Sequence, residues 1–234
     1  MSRVLFFGRH DCSYSDDAAK YLKELGFDVK YIKSHHRNEY LPEDIKEWNG
    51  EYIFCFRSFF ILPIDLIEKA SIAAINFHPG PPEYPGSGCL NFALYDYSKE
   101  YGVTAHLMND KVDNGKIIEC LRFLISDDDN INTLLKKTHA QLSKLFQKIA
   151  KGLFLDKDNF LHKKIDAGKN EKWNGSARKL SELNKLEFID NKITKDELAR
   201  RIRAFHTNDY PLKIKLHNHV FSPKEKIMTP FKKL

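Results

Sequence analysis

Asn76 and His78 carry an amide and an imidazole two positions apart, at the end of the apolar run AAINF. Because alternate side chains of a strand point to the same face, we expect both groups to project to one side of the strand end. An imidazole with a pKa of about 6.5 can take up and return a proton near neutral pH, and an amide can donate to an oxygen that gains negative charge. A strand that merely ends in polar residues would look the same, so the interpretation depends on what surrounds this pair.

Three neighbouring features favour a functional site. The segment HPGPPEYPGSG, from His78 to Gly88, contains four prolines and three glycines, which is too interrupted for a helix or a strand. A second polar strand end follows at Asp110 to Asp113, and Gly115 comes directly after it. Together these features predict a binding loop and a catalytic site built from two strand ends.

The elements that must position these residues alternate along the first half of the chain. Short apolar runs (VLFF, FDVKYI, YIFCF and AAINF) are separated by the amphipathic stretches AAKYLKEL, LPEDIKEW and PIDLIEKA. This alternation is typical of repeated β-α-β units, so we predict an α/β fold with a doubly wound, mostly parallel sheet. Ligands of such sheets bind at the carboxyl ends of the strands, here the loops after Phe7, Phe56 and Phe77.

The second half predicts a short helix at NFALYDY, strands at GVTAHLM and KIIECLRFLI, and a helix from Asn130 to Ala150 that stops at Gly152. Thr194 to Glu197 has a capping-box pattern and opens a basic helix. The segment YPLKIKLHNHVFS alternates in period two around a turn at Asn218, which predicts a β-hairpin too small to be stable alone. The expected divisions are a catalytic core at 1–152, a connecting segment at 153–193, and a C-terminal helix and hairpin at 194–234.

Composition limits the possible classes of protein. A chain of 234 residues with 42% hydrophobic and 30% charged residues suits one soluble core with a small appendage, and argues against disorder. No apolar run approaches the roughly 18 residues of a spanning helix, and the start MSRVLFFGRHD does not resemble a secretory signal, so we expect a cytoplasmic protein with no membrane contact. The four cysteines lack metal-site spacing, and the net charge of +6 is interpreted as a solvated surface.

The region from Ile64 to Ile118 resembles the hallmark region of the folate-dependent formyltransferases. The matching pieces are Asn-x-His-Pro (Asn76 to Pro79), the Pro/Gly loop, Gly-Val-Thr-x-His (Gly102 to His106) and Asp-x-Gly-Lys-Ile-Ile (Asp113 to Ile118). Their order and spacing agree over roughly 60 consecutive residues, which single short motifs do not achieve. The resemblance implies a Rossmann-like formyltransferase core.

The resemblance also implies the role of each catalytic residue. Asn76 would donate a hydrogen bond to the formyl oxygen as it becomes an oxyanion, an effect commonly worth about 3 kcal/mol. His78 would take the proton lost by the attacking amine and help protonate the leaving folate nitrogen. Asp113 would orient His78 and stabilise its charged form. No metal is implied, because transfer between two nitrogens needs only proton management and oxyanion stabilisation.

The implied co-substrate is 10-formyltetrahydrofolate, whose pterin lies in the family between two loops that use main-chain groups. In this chain those loops supply Phe60, Ile61 and Leu62 before Pro63, and Asp110, Lys111 and Val112 before the catalytic aspartate.

Three acceptor amines compete within the family. Glycinamide ribonucleotide enzymes have a Gly-rich phosphate loop after the first strand, whereas this chain has Gly8-Arg-His-Asp-Cys-Ser. Methionyl-tRNA enzymes continue into a substantial C-terminal β domain that the residues after Gly152 hardly supply. The nucleotide-sugar N-formyltransferases fit better, because ELARRIRAFHTNDYPLKIKL resembles their Arg-x-Arg-Ala and Tyr-Pro segment.

The sequence therefore predicts formyl transfer to a nucleotide-linked amino sugar, such as dTDP-4-amino-4,6-dideoxyglucose of lipopolysaccharide O-antigen synthesis, by a homodimer that binds no nucleic acid. Arg201 or Arg203 would neutralise the diphosphate, and Tyr210 or Phe221 would stack on the base. The predicted acceptor-binding residues are Pro79, Gly80, Tyr84, Ser87, Gly88, Asn91, Arg201, Arg203, Tyr210 and Phe221. A catalytically silent folate or nucleotide-sugar binding module is the alternative from another class. The sugar, the position of its amine, and the choice between dTDP and UDP stay open.

Overall fold

The computed structural model of the chain describes residues 1–157, 159–207, 212–217 and 219–221. A six-stranded sheet forms the centre, with the order β2-β1-β3-β4-β5-β6. Its strands are β1 (Arg3–Arg9), β2 (Asp28–Ser34), β3 (Gly50–Phe56), β4 (Ala70–His78), β5 (Glu100–Leu107) and β6 (Ile117–Leu124). Strands β1 to β4 pair in parallel, and β5 and β6 join as antiparallel neighbours. The predicted mostly parallel α/β sheet is confirmed.

Both faces of the sheet are covered because the buried strands are apolar on both sides. Helices α1 (Ser13–Leu25) and α4 (Ile131–Leu155) cover the face that carries Phe6, Phe54 and Phe77. The opposite face, which carries Phe7 and Ile53, packs against the short helix α2 (Ile64–Ile67) and a 3-10 turn at Glu43–Ile45. The short helix α3 (Cys89–Tyr95) follows the Pro/Gly loop.

The second face is covered by shorter helices than the β-α-β pattern predicts. LPEDIKEW forms only the single 3-10 turn, and PIDLIEKA forms only the four residues of α2. A proline precedes each of these elements, and the following apolar side chains, including Trp48 and Leu66, are nevertheless buried against the sheet. A few well-placed apolar residues therefore cover this face without a long helix.

The predicted stop of α4 at Gly152 is wrong, because the helix continues to Leu155. Leu153 is buried and extends the apolar face of the helix by another turn. A Cβ at Gly152 would lie 2.2 Å from the ring of Phe160, so this glycine allows close packing rather than ending the helix. Gly26, in contrast, ends α1 in the left-handed conformation with φ of 99°.

The C-terminal part contains α5 (Phe160–Ala167), α6 (Leu180–Leu186), β7 (Phe188–Ile189), α7 (Lys195–Phe205), β8 (Lys213–Leu216) and β9 (His219–Phe221). Thr194 caps α7 by accepting from the Glu197 N–H at 3.2 Å. The predicted hairpin is formed by β8 and β9, and it finds its partner in β7, which pairs in parallel with β8. Asn218, predicted at the turn, lies outside the described residues.

Helix α7 packs on α3 through Ala204 and Phe205, which share a buried cluster with Cys89 and Leu90. The small sheet leaves Val220 54% and Phe221 52% exposed, so the predicted homodimer has an apolar surface available, although it stays a prediction. The predicted domain boundaries at 152 and 193 also stay predictions. No helix in the described part of the chain has the length and apolar character needed to cross a membrane.

Candidate active site

Two strand ends and one loop bring the predicted catalytic residues together. Asn76 and His78 end β4, and the antiparallel pairing with β5 places Asn76 opposite His106. The loop between β5 and β6 then returns across this edge and carries Asp113. Asp113 has a φ of 46°, in the left-handed region that a non-glycine residue adopts only when its surroundings hold it there.

Asp113 is the centre of the site, because both of its carboxylate oxygens are occupied. Oδ2 lies 3.1 Å from His78 Nδ1 and accepts the Gly86 N–H at 2.8 Å. Oδ1 accepts from Asn76 Nδ2 at 3.2 Å and lies 3.3 Å from His106 Nε2. Asp113 is 6% exposed, so this negative charge is stabilised by protein groups and not by water.

The surroundings shift the pKa values of His78 and Asp113 in opposite directions. Burial lowers the pKa of His78, but the charge of Asp113 and the hydrogen bonds to Asp113 and the Tyr84 carbonyl outweigh burial and raise it. Burial raises the pKa of Asp113, but His78 and His106 outweigh burial and hold it well below its usual range. His78 Nε2 lies 3.0 Å from the Tyr84 carbonyl oxygen, so both ring nitrogens face acceptors. An imidazolium satisfies both partners.

His106 is a member of the site to which the sequence analysis gave no catalytic role. Its Nδ1 lies 2.8 Å from the Leu107 carbonyl oxygen, which can only accept, so Nδ1 carries a proton. Its Nε2 lies 3.0 Å from Asn76 Nδ2 and accepts from it when the ring is neutral. The signal available in the sequence was a histidine inside the apolar run GVTAHLM. In the structure His106 is only 2% exposed.

Trp173 covers the site from a segment that the sequence analysis treated as a connection. Its ring centroid lies 5.8 Å from that of His78 and 4.9 Å from that of His106, and both contacts are edge-on. The indole N–H donates to the Gly115 carbonyl at 2.8 Å, which fixes the ring. A tryptophan in the polar stretch NEKWNGS was the only sequence signal.

Residues 173–178, which we call the strap, run along the Pro/Gly loop. The Asn174 N–H donates to the Pro82 carbonyl, the Arg178 N–H donates to the Pro85 carbonyl, and the Ser87 N–H donates to the Arg178 carbonyl. Gly86 is required at the crossing, because a Cβ there would lie 2.4 Å from the Arg178 nitrogen. The strap and the loop together leave His78 only 3% exposed.

The predicted roles require exchanges of hydrogen bonds when substrates bind. Asn76 has two amide hydrogens, and Nδ2 is already within hydrogen-bond distance of Asp113 and His106. Donation to a formyl oxygen would therefore replace one of these contacts. His78 Nε2 similarly has to leave the Tyr84 carbonyl before it can exchange a proton with a substrate.

The predicted folate residues lie in the two loops that flank the end of β4. Phe60 packs edge-on against Phe7 at 5.8 Å, and Leu62 is buried. Ile61 is 77% exposed, and Val112 is 47% exposed, so each loop presents an apolar side chain to solvent. Asp110 and Lys111, which precede Val112 in the second loop, are exposed. Their role in folate binding stays a prediction.

The predicted acceptor residues fall into two groups. The loop residues lie beside the catalytic groups: the Pro79 carbonyl accepts from Tyr101 at 2.8 Å, and a Cβ at Gly80 would lie 2.5 Å from His78 Nε2. The Tyr84 hydroxyl contacts Ser98 Oγ at 2.6 Å. Gly88 caps α3, and Asn91 donates to the Ala204 carbonyl at 2.7 Å, which ties the loop to α7.

The C-terminal residues of the prediction lie elsewhere in the molecule. Arg201 binds Glu197 and the Phe188 carbonyl, each at 2.6 Å. Arg203 donates to the carbonyls of Asp129 and Ser126 at 2.8 and 3.0 Å. These arginines thus join α7 to its neighbours, and the structure does not bring them to Asn76, His78 and Asp113. Phe221 is exposed on β9, and Tyr210 lies outside the described residues.

No group of three or more His, Cys, Asp or Glu side chains suited to a metal ion occurs among residues 1–157, 159–207, 212–217 and 219–221. What the site offers is a buried carboxylate, a histidine with a raised pKa and an amide donor. These groups can move a proton and stabilise developing negative charge at a carbonyl.

Comparisons with known proteins agree with this chemistry. The family described as formyl transferase matches residues 7–149, which is more than half of the 234-residue chain. A methionyl-tRNA formyltransferase of Listeria monocytogenes is 41% identical over 86 residues, covering 36% of this chain and 26% of that protein. One from Thermodesulfovibrio yellowstonii is 30% identical over 150 residues, covering 59% and 48%. The matches thus span less than half the length of these curated relatives.

Solved structures show the same fold over nearly the whole chain. A 4-N formyltransferase from Francisella tularensis has a TM-score of 0.72 at 16% identity, covering 97% of this chain and 98% of that one. A sugar N-formyltransferase from a Shewanella species has a TM-score of 0.66 at 16% identity, covering 98% and 99%. An N-formyltransferase from Helicobacter canadensis, in complex with folinic acid and dTDP-3-aminofucose, has a TM-score of 0.64 at 18% identity, covering 93% and 85%.

Proposed function

This chain belongs to the formyl transferase family, and from that premise we propose that it moves a formyl group from 10-formyltetrahydrofolate to the amine of a nucleotide-linked amino sugar. The observation that carries the proposal is the buried carboxylate of Asp113, which binds His78 at 3.1 Å and Asn76 at 3.2 Å. A buried carboxylate of this kind fixes the orientation of an imidazole and the charge that the imidazole can carry.

In the proposed reaction Asn76, His78 and Asp113 each have one role. The neutral amine of the acceptor attacks the formyl carbon, and the carbonyl oxygen gains negative charge, which the Asn76 amide stabilises after it exchanges one of its two contacts. The C–N bond to the folate nitrogen then breaks, and that nitrogen needs the proton that the attacking amine loses. His78 carries this proton through Nε2 once the Tyr84 carbonyl is displaced, while Asp113 stabilises the imidazolium at Nδ1.

A sugar amine is the proposed acceptor because the likeness to the Shewanella sugar N-formyltransferase extends over 98% of this chain and 99% of that one. That likeness includes the short C-terminal part as well as the core. The Helicobacter canadensis protein holds a reduced folate and a dTDP-linked amino sugar together, which supports the same pair of substrates for this chain. We propose a dTDP-linked 4-amino-4,6-dideoxyhexose, with UDP-linked amino sugars as the nearest variation.

The direct test incubates the full chain with 10-formyltetrahydrofolate and a panel of dTDP- and UDP-linked amino sugars, and measures release of tetrahydrofolate. We expect turnover with at least one of these sugars. His78→Asn should lower kcat by about 10² to 10⁴ because it removes the proton carrier, while binding of the sugar nucleotide is retained. His162→Asn is the matched control, since His162 is exposed on α5 and away from the site.

Two results would contradict the proposal. No turnover across the panel would contradict the proposal that a sugar amine is the acceptor. An unchanged kcat in His78→Asn would contradict the proposed role of His78 as proton carrier. Binding of folate and sugar nucleotide without any turnover would instead favour a silent binding module.

Methionyl-tRNA is the second candidate acceptor, because the curated relatives that match at 30% to 41% identity carry that activity. Formylation of charged initiator tRNA at a rate comparable to that of the best sugar would favour it.

A further inference from the structure

The strap, residues 173–178, is the part of the catalytic centre to which the proposed reaction gives no role. It lies beyond residues 7–149, the span that the formyl transferase family matches. Trp173 begins the strap, and its ring centroid lies 5.8 Å from that of His78 and 4.9 Å from that of His106. The position of a large aromatic ring over two buried imidazoles is therefore a feature of this chain that the family match does not explain.

The strap forms a single layer between these imidazoles and solvent. Asn174, Gly175 and Ser176 are exposed, and a Cβ on Gly175 would meet no atom of the described residues within 4 Å. Trp173 itself is partly buried, whereas the two histidines beneath it are 3% and 2% exposed. Removal of the indole would therefore open a path from solvent to the two imidazole rings.

Both ends of the strap are held in place. At its start, the Trp173 indole N–H donates to the Gly115 carbonyl at 2.8 Å. At its end, the Arg178 guanidinium lies 4.0 Å from the ring centroid of Phe92 on α3. Backbone hydrogen bonds of 2.9 to 3.0 Å join the strap to the Pro/Gly loop. These contacts fix the indole in one position over the site.

Water competes with the acceptor amine for a formyl carbon. In hydrolysis, the water oxygen bonds to the formyl carbon, the C–N bond to the folate nitrogen breaks, and that nitrogen takes one of the two water protons. Formate leaves, and the second proton is released to solvent. His78, which carries the proton of an amine in the proposed reaction, can equally carry a proton of water, so the catalytic groups alone do not select the amine. Exclusion of water prevents this side reaction.

The strap also helps to keep the proton carrier occupied. His78 Nε2 lies 3.0 Å from the Tyr84 carbonyl oxygen. The loop that carries Tyr84 is bound to the strap, because the carbonyls of Pro82 and Pro85 accept backbone N–H groups of the strap. A water molecule at His78 Nε2 therefore has to displace a carbonyl that the strap holds in position.

We propose that Trp173 and the strap shield His78 from water, so that the formyl group passes to the acceptor amine and not to water. Trp173 acts through His78 and is in this sense a positioning residue. The inference rests on the proposed function for the identity of the formyl donor. It adds a further property to the site: without the indole, the chain should hydrolyse 10-formyltetrahydrofolate in the absence of any acceptor.

The test measures acceptor-independent hydrolysis of 10-formyltetrahydrofolate by the full chain, followed as release of tetrahydrofolate and formate. We expect Trp173→Ala to raise this rate at least about tenfold above wild type, because the variant opens the path to His78. Trp173→Phe should stay within about threefold of wild type, since a phenyl ring keeps most of the apolar cover.

A second variant loosens the strap without changing the indole. Asn174→Pro removes the N–H that donates to the Pro82 carbonyl, so hydrolysis should rise in this variant as well. Asn174→Ala is the matched control, because it keeps the N–H at an exposed position and should match wild type. A thermal melt shows whether each variant folds, and Asn174→Pro gives the result if Trp173→Ala does not fold.

Labelling of His78 by diethyl pyrocarbonate, located by mass spectrometry, tests the shielding without any substrate. We expect His78 to be labelled at least about tenfold faster in Trp173→Ala than in wild type, because the ring becomes accessible. His162 is exposed in α5 and should be labelled equally in both proteins.

The outcomes separate this inference from the proposed function. Unchanged hydrolysis in Trp173→Ala and Asn174→Pro would overturn the inference even if sugars are formylated, and so would unchanged labelling of His78. Faster labelling together with faster hydrolysis would support the inference even if no sugar in the panel is formylated. Faster labelling without hydrolysis would also overturn it, because Trp173 would then cover His78 without controlling the fate of the formyl group.

Discussion

The catalytic centre differs in its charge pairing from a cavity of about 530 Å³ at the same edge of the sheet, which we call the cationic cavity. Its lining includes Arg9, His10, His35, Arg57 and His139. At the centre, one carboxylate on Asp113 contacts two histidines, an amide and a backbone N–H, and the carboxylate and both histidines are buried. In the cavity, Arg9 and Arg57 line open space without a carboxylate partner among the described residues. The charge of Asp113 is thus held by several polar partners, whereas Arg9 and Arg57 contact aromatic rings.

The difference also predicts what each region contributes to folding. A buried ion pair loses much of its stability when one partner is removed, because the other charge is left in the protein interior. An unpaired cation at a cavity costs free energy in the absence of ligand, so its removal should cost little. Activity and stability should therefore change together at the centre and separately at the cavity.

Asp113→Asn should give the largest effect. We expect kcat to fall by about 10² to 10⁴, because His78 loses the group that orients and charges it. The free energy of unfolding should also fall by about 3 kcal/mol or more, since a buried pair is broken. Steady-state kinetics and urea unfolding measure the two losses. Asp128→Asn, at an exposed carboxylate, is the control, and a variant that loses stability but keeps kcat would contradict the assigned role.

The pH dependence of the free energy of unfolding should show an effect of intermediate size at the catalytic centre. The pKa of His78 is raised in the folded protein, so its contribution to stability is fully present below the unfolded value of about 6.5 and is lost as the pH rises through the folded value. The stability difference between wild type and His78→Asn should therefore shrink from pH 6 to pH 9, by about 1.4 kcal/mol for each pKa unit. His139 is present in both proteins, so its own titration cancels in the difference. A constant difference over this range would show that His78 is not stabilised as an imidazolium.

Arg57→Gln should have the smallest effect on folding. We expect the free energy of unfolding to change by less than about 0.5 kcal/mol or to rise, because Arg57 Nε has no partner to lose in the described part of the chain. Arg122→Gln is the contrasting variant, since Arg122 contacts Glu83, Glu100 and Glu171 and should lose more stability when removed. A larger loss in Arg57→Gln than in Arg122→Gln, measured by urea unfolding, would mean that Arg57 is a structural residue.

Much of this molecule follows from local sequence pattern. The apolar runs around Phe6, Phe54 and Phe77 are continuous because both faces of the parallel strands are buried, and that pattern identifies them as sheet strands. Asn76 and His78 project together because the pleat has a period of two. The prolines and glycines between His78 and Gly88 exclude regular structure, so the loop was also predictable.

Long-range packing decided the rest. Gly152 resembles a helix stop in sequence, but Phe160 packs against it and the helix continues. Trp173 lies 60 positions beyond Asp113 in a polar segment, and only the strap brings it over His78 and His106. Arg9 and Arg57 are separated by 48 positions, and parallel pairing of β1 with β3 makes them neighbours. Local pattern determines which residues end a strand, whereas strand order and register determine which of those ends share one site.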